Sequence, residues 1–445
     1  LNAGDQNSRK WWRSMNKMME INIKPLTRVE GEGGVEIVVE NGNVKKIQVE
    51  ITEAPRFFEA FVKGRKYLEV PDFVARICGI CPVPYIYSSS RAMEKILEIN
   101  IPKEIQNLRK TLLFGEWISS HALHVFLLHA PDFMKLNDVI ELAKIKPEIV
   151  RKALKLKAFG NYVMEKIGGR SVHPVSCRIG GFYRIIRREE LEDIKRECKD
   201  KQEIAKELLE WILQLEIPKI KCDYEYLSLQ DPEGEYPTIG GRIVSNKGIN
   251  ISEEEFEDNI EEFQVPYSTS LRCRIKGRGA YVTGPIARFN NNYKALRGEV
   301  RDVLEAYGFK APLVNTYQSI IARTAEIYHS TLEIERLIDE YREPEKPYIE
   351  GKVKAGWGCG VTEAPRGILY HSYEINSEGY VEKARIIAPT TQNLAHIEQD
   401  ILMQIPEIIS KPMDEAQLMV EMIVRNYDPC ISCSVHAIKV KIIKN

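Results

Sequence analysis

Long apolar runs are missing from this chain of 445 residues. No stretch approaches the roughly 20 uncharged apolar residues that a membrane-crossing helix needs, so no direct membrane insertion is expected. Excess charge of either sign is missing too: 63 basic residues against 64 acidic ones leave a net charge of −1. That removes any general electrostatic case for nucleic acid or an anionic membrane surface as a partner. Residues 1–22 are polar, carry Arg9, Lys10, Arg13 and Lys17, and lack the apolar core of a secretion signal. They read as a disordered extension with no role in the fold. No period of about 20–50 residues recurs, which excludes a solenoid.

Cysteine is not scarce. Nine are present, and in a chain without a secretion signal they argue for reduced thiols and a metal site rather than disulfides. Five stand alone: Cys177, Cys198, Cys222, Cys273 and Cys359. Each reads as a small buried apolar residue. The other four form two Cys-x-x-Cys pairs near opposite ends, Cys78-Gly79-Ile80-Cys81 and Cys430-Ile431-Ser432-Cys433. Four thiolates make a soft cage suited to zinc, iron-sulfur or nickel rather than magnesium or calcium. On spacing alone, a structural four-cysteine zinc site fits as well as any.

Apolar residues make up 44% of the chain and charged residues 29%, ordinary for a globular protein with a sizeable core. Alternation at 35–39 and 44–51 around Asn41-Gly42-Asn43 predicts a hairpin. A short helix is expected at 56–63 and another near 89–99. Long helical patterns cover 103–128, 147–167, 188–215, 290–307 and 313–341. The mixed, acidic stretch 219–270 reads as an insertion. Strands are expected at 352–358, 368–375 and 380–387, then helices at 391–403 and 415–427. The predicted class is mainly α (α+β): one large unit, 23–436, with a central bundle of long helices and small antiparallel sheets toward both ends. The two cysteine pairs require those ends to meet.

The flanks of the pairs carry more than their spacing. Arg76-Ile77-Cys78-Gly79-Ile80-Cys81 and Asp428-Pro429-Cys430-Ile431-Ser432-Cys433-Ser434-Val435-His436 resemble the large, catalytic subunit of nickel-iron hydrogenases. Four further motifs continue the resemblance, in the family's order: Arg28-Val29-Glu30-Gly31, Pro55-Arg56-Phe57-Phe58-Glu59, Thr362-Glu363-Ala364-Pro365-Arg366-Gly367 and Ala388-Pro389-Thr390-Thr391-Gln392-Asn393. The short motifs look most like those of the cytoplasmic, multi-subunit hydrogenases of archaea and some bacteria.

The resemblance implies reversible heterolytic cleavage of H2. Cys78 and Cys430 match thiolates terminal on nickel. Cys81 and Cys433 match thiolates bridging nickel to an iron that carries cyanide and carbon monoxide. Glu30 matches a proton-transfer carboxylate, taking its proton from Cys430. Arg366 and Thr390 match donors to the cyanide nitrogens, and Pro365 walls the diatomic ligands. Asp428 is expected to cap or hydrogen-bond near the metals, and Asp132 to pair with Arg366 from behind. Glu59, His436 and the carbonyl of Ile386 match ligands of a magnesium (or second iron) site. His173 matches a position facing a partner's iron-sulfur cluster, whereas His121 and His124 read as packed core residues.

The implied partners are an iron-sulfur small subunit, further electron-transfer subunits and a maturation endopeptidase cutting after His436. On that reading residues 437–445 are a removable tail. A cytoplasmic enzyme is implied. One departure stands out: the family usually has His four residues after the second cysteine of the first pair, and here that residue is Tyr85. A phenol can donate one hydrogen bond, but it is neutral and bulkier, with an ordinary pKa of about 10. Two rivals lose the catalytic chemistry: a non-catalytic scaffold relative, as in the respiratory complex I subunit that keeps the fold without the cysteines, and a structural zinc protein.

Overall fold

The computed structural model describes residues 18–436. The tail 437–445 and the start of the chain up to residue 17 lie outside the described residues, and so does the expected cut after His436.

Five long helices form the centre: Pro82–Ile96, Lys103–Ala122, Pro147–Gly168, Arg188–Ile212 and Ser319–Glu340. Their starts and stops follow local chemistry. Pro147 occupies the first position of its helix, and Gly169 ends it in the left-handed region at φ 86°. Lys103–Ala122 and Pro147–Gly168 lie unusually close. A Cβ on Gly160 would stand 2.4 Å from the carbonyl oxygen of Gly115, so only glycine lets the two backbones approach. Lys103–Ala122 runs into a π-helical segment, Leu123–His129, and carries the fully buried Trp117. By length and composition this run, Lys103–Phe133, would pass as a membrane span, but 78% of its apolar window is buried inside the fold.

The N-terminal sheet is antiparallel, in the order Met19–Ile23, Gly33–Glu40, Asn43–Ile51. Met19 pairs with Val39 and Ile23 with Val35. This corrects the expectation for residues 1–22: the stretch Met19–Asn22 belongs to a strand, and Ile21 is buried. Its alternation is too short to register in a polar segment.

The C-terminal sheet is also antiparallel, in the order Gly356–Ala364, Gly367–Ile375, Val381–Ile387. Helix Pro82–Ile96 lies against its first strand. A Cβ on Gly360 would stand 2.3 Å from the Ser88 carbonyl, which is why glycine alternates at 356, 358 and 360. Residues 219–270 are folded into the same body. Tyr226–Gln230 pairs in parallel with Val282–Thr283, and Leu229 donates its N–H to the Glu363 carboxylate at 2.7 Å.

Other expected helices shift for identifiable reasons. The 290–307 pattern is two helices, Pro285–Asn292 and Gly298–Ala306, joined by a 3-10 turn at Tyr293–Ala295. The 313–341 pattern starts its helix only at Ser319, because Asn315 first caps a 3-10 turn, Thr316–Gln318.

Candidate metal centre

The two cysteine loops are held by different devices. Cys78 leaves a 3-10 turn, Ala75–Ile77, in extended conformation, and Cys81 precedes helix Pro82–Ile96, whose first residue is proline. Cys430 forms a parallel bridge with Glu30, and Cys433 sits in the short turn Ile431–Ser434. Arg56 ties the loops together. Its Nη2 donates to the carbonyl of Ile77 at 2.7 Å and also to that of Ser432.

The result is a square of sulfurs. Sγ–Sγ separations are 3.0 Å for Cys78–Cys81, 3.6 Å for Cys78–Cys430, 3.8 Å for Cys81–Cys433 and 2.7 Å for Cys430–Cys433. All four are buried and all four Sγ atoms lie within 4.8 Å of one another. Burial pushes the Cys430 and Cys433 thiols up, whereas hydrogen bonding from its cysteine neighbours, Cys430 first, pulls Cys78 down. Four negative sulfurs at this spacing would repel strongly without cations between them. The donor set fits soft transition metals that replace the thiol protons.

Arg366 and Asp428 form a buried pair near the sulfurs, and Cys430, Cys81 and Cys78 act electrostatically on the guanidinium. Arg366 Nε donates to the Asp428 carbonyl at 2.7 Å, and its Nη2 to Asp428 Oδ1 at 3.1 Å. Arg366 Nη1 is buried with no partner in the protein. A donor so placed fits a small acceptor ligand on the metals. Thr390 accepts the Cys430 N–H at 3.0 Å, which leaves its hydroxyl proton to point elsewhere. Pro365 is buried, and its carbonyl accepts from Arg288.

The expected pairing of Asp132 with Arg366 is corrected. Asp132 instead accepts two hydrogen bonds from Arg425, at 2.7 and 3.0 Å, and one from Arg28. Arg425 and Arg28 lie beside it on helix Met413–Asn426 and the Glu30 loop, so Asp132 braces the backbone behind the centre. Asp428 takes the place beside Arg366 because its backbone turns left-handed, at φ 51°, immediately before Pro429.

Glu30 is half-buried. Its carbonyl accepts the Ile431 N–H at 3.0 Å, and its carboxylate takes the Ser432 N–H at 3.1 Å and the Ser432 hydroxyl at 2.5 Å. The carboxylate therefore sits against the loop between Cys430 and Cys433.

Glu59, Ile386 and His436 also come together. His436 Nε2 faces the Ile386 carbonyl at 2.5 Å, and Glu59 Oε1 accepts the Ile386 N–H at 2.8 Å. His436 Nδ1 faces the Cys433 carbonyl. A neutral imidazole has a single N–H and cannot donate to both carbonyls. Burial pushes the Glu59 carboxyl up to about 7. A hard cation among these three donors would relieve both mismatches.

His121 and His124 are buried core residues, bonded to Glu326 and to the Arg425 carbonyl, each at 2.9 Å. His173 is partly exposed, with φ 51°, and its ring faces the backbone of Cys78. Sequence reasoning missed three contributors. Arg56 and Arg28 stand inside the motifs already quoted, and that position was the signal. Glu116 gave none: it is a fully buried carboxyl that accepts the Val83 N–H at 2.8 Å, and burial raises it well above the usual range.

Comparison with known proteins agrees with this geometry. The family model described as nickel-dependent hydrogenase matches residues 56–155 and 244–436, and a HoxL-like model matches residues 20–54. The chain belongs to the nickel-dependent hydrogenase family; it is a large, catalytic subunit, and thus an oxidoreductase acting on hydrogen. It is 34% identical over 430 residues to the alpha subunit of sulfhydrogenase 1 of Pyrococcus furiosus, covering 95% of this chain and 99% of that one. The alpha subunit of sulfhydrogenase 2 of the same organism is 35% identical over 424 residues, covering 95% and 100%. Among solved structures, an NAD+-reducing NiFe-hydrogenase in the H2-reduced state superposes with a TM-score of 0.85 at 26% identity, covering 94% and 99%. Membership implies nickel and iron held by cysteines.

Proposed function

We propose that this chain splits H2 heterolytically and reversibly, with named residues in the following roles. Cys78 and Cys430 would hold nickel. Cys81 and Cys433 would be shared between nickel and an iron that carries cyanide and carbon monoxide. When bound, such a pair would supply the electrophilic site at which H2 is split, yielding in total two protons and two electrons. Arg366 Nη1 and the Thr390 hydroxyl hold the cyanide nitrogens through charge-assisted and neutral hydrogen bonds. Pro365 keeps that wall apolar. Asp428 fixes the guanidinium in place.

The proton leaves by way of Cys430 and the Glu30 carboxylate, which is hydrogen-bonded into the same loop. Glu59, the Ile386 carbonyl and His436 hold a magnesium or second iron, which locks the C-terminal loop onto the Pro55–Glu59 segment. The single observation that carries the reading is the buried square of four sulfurs, built from pairs 352 positions apart.

Electrons need a separate exit. Among the described residues, the four-cysteine group is the one cluster of three or more His, Cys, Asp or Glu side chains placed to share a metal, which leaves no second group of thiols for an iron-sulfur cluster. The functional assembly therefore includes an iron-sulfur small subunit, with further electron-transfer subunits beyond it. A patch beside His173 supports a docking place: Leu68, Val172, Val175 and Tyr183 are 47%, 49%, 47% and 61% exposed. A maturation endopeptidase would cut after His436 before that residue packs against the Pro55–Glu59 segment, where the Phe58 N–H holds its carbonyl at 3.0 Å. The enzyme works in the cytoplasm.

The test is metal analysis with infrared spectroscopy on the chain co-purified with its natural partners without oxygen. Nickel and iron with sharp cyanide and carbon monoxide bands are expected. Zinc alone in mature chain would overturn the reading.

A further inference from the structure

Tyr85 is 1% exposed, and its hydroxyl has no nitrogen or oxygen partner. A buried hydroxyl left so is destabilising, and a phenylalanine would fill the same space without that cost. Tyr85 packs in the same buried cluster as Cys78, Cys81, Cys430 and Cys433, and Cys433, Cys81 and Cys78 all act on its hydroxyl electrostatically. Packing fixes the ring from behind. Its centroid is 5.6 Å from that of His371, edge to face at 65°. His371 is itself pinned, with Nδ1 2.7 Å from the Tyr373 hydroxyl. Burial holds that imidazole neutral, so it positions the phenol without adding charge. The Tyr85 carbonyl is also in use, accepting the Ser89 hydroxyl at 2.8 Å.

We propose that the Tyr85 hydroxyl donates a hydrogen bond to the Cys433 sulfur in the metal-loaded centre and thereby sets how much electron density that sulfur passes to the metals. The proposal rests on the nickel-iron reading above. A thiol sulfur is a weak acceptor, whereas a metal-bound thiolate carries negative charge and accepts well, so loading the site satisfies the orphaned hydroxyl. Hydrogen bonds to metal-bound sulfur withdraw electron density and raise reduction potentials. Tyr85 is thus a positioning and tuning residue: it holds no metal and moves no proton.

The experiment is infrared spectroscopy of the assembled, anaerobically purified enzyme. Tyr85→Phe is expected to shift the cyanide and carbon monoxide bands to lower frequency, because a sulfur freed of its hydrogen bond donates more. The midpoint potential should move negative in the same variant. Difluorotyrosine in place of Tyr85 keeps the shape but strengthens the donor, and should shift the bands to higher frequency. It also keeps the test open if Tyr85→Phe does not retain metal. Bands that coincide with those of the parent enzyme in the difluorotyrosine form, or in metal-loaded Tyr85→Phe, overturn the proposal. A parent enzyme with no such bands would instead overturn the nickel-iron reading, so the two failures are distinguishable.

Discussion

Replacing Asp428 with Asn tests which carboxylate serves Arg366. The two side chains are 5% and 4% exposed and share one hydrogen bond of 3.1 Å. Breaking a buried ion pair from one side costs about 3–5 kcal/mol. Asn keeps an oxygen for Nη2 and tolerates the left-handed φ of 51°, so the cost belongs at the lower end, about 3 kcal/mol. Asp132→Asn strips compensation from two guanidinium groups, and its cost belongs at the upper end, about 5 kcal/mol. Double-mutant cycles with Arg366→Gln then separate the pairs. Residues in contact couple by about 0.5–3 kcal/mol, and residues without shared partners add within about 0.5 kcal/mol. Arg366 and Asp428 are expected to couple by about 2 kcal/mol, and Arg366 and Asp132 by less than about 0.5 kcal/mol. The assay is urea unfolding of the full chain, with the slope checked for constancy across the cycle. A coupling of Arg366 with Asp132 as large as that with Asp428 would refute the assignment.

Three further outcomes are expected. Glu30→Gln keeps an acceptor for the Ser432 N–H but cannot take a proton, so H2 oxidation should fall about 10²–10⁴-fold at unchanged metal content; full turnover would remove Glu30 from the proton path. Burial holds His121, His329 and His396 each at about 4. The unfolded chain, with imidazoles near 6.5, binds more protons in that window, so this stability is full above about 6.5 and is lost as pH falls toward 4. The urea midpoint should drop between pH 7 and pH 5, and a level midpoint counts against it. Gly360→Val drives a side chain into the Ser88 carbonyl and the Ala92 nitrogen, at 2.3 and 2.8 Å from the Cβ position. It should cost more than the usual 1–3 kcal/mol or so of overpacking and loosen metal retention, because the displaced helix carries the Cys81 loop; unaltered stability with full metal content would contradict that.

The sequence was most readable where chemistry repeats in short words. The cysteine pairs, Glu30, Arg366 and Thr390 stand in motifs, and the long helices announce themselves by period. Pairing across space was less readable. Asp132 and Asp428 are both carboxylates near a motif, and nothing in their neighbourhoods says that Arg425 claims one and Arg366 the other. Glu116 looks like any glutamate on a helix, because its partner is a backbone N–H 33 positions away. Strand Met19–Ile23 hid inside a polar segment, since its second face is solvent and its partner strand supplies the register.

Glu30 and Ser432 touch although 402 positions separate them. At a synthesis rate of about 5–20 residues per second, on the order of 20–80 s passes between the appearance of one and of the other. For most of that time the first cysteine pair, made 352 positions before its counterpart, stands alone, and Glu30 faces a gap where a strand-like neighbour will later lie. Metal delivery is thus tied to a clock. Whatever loads the centre must either wait for the last loop or guard an open, half-built pair of thiols until it arrives.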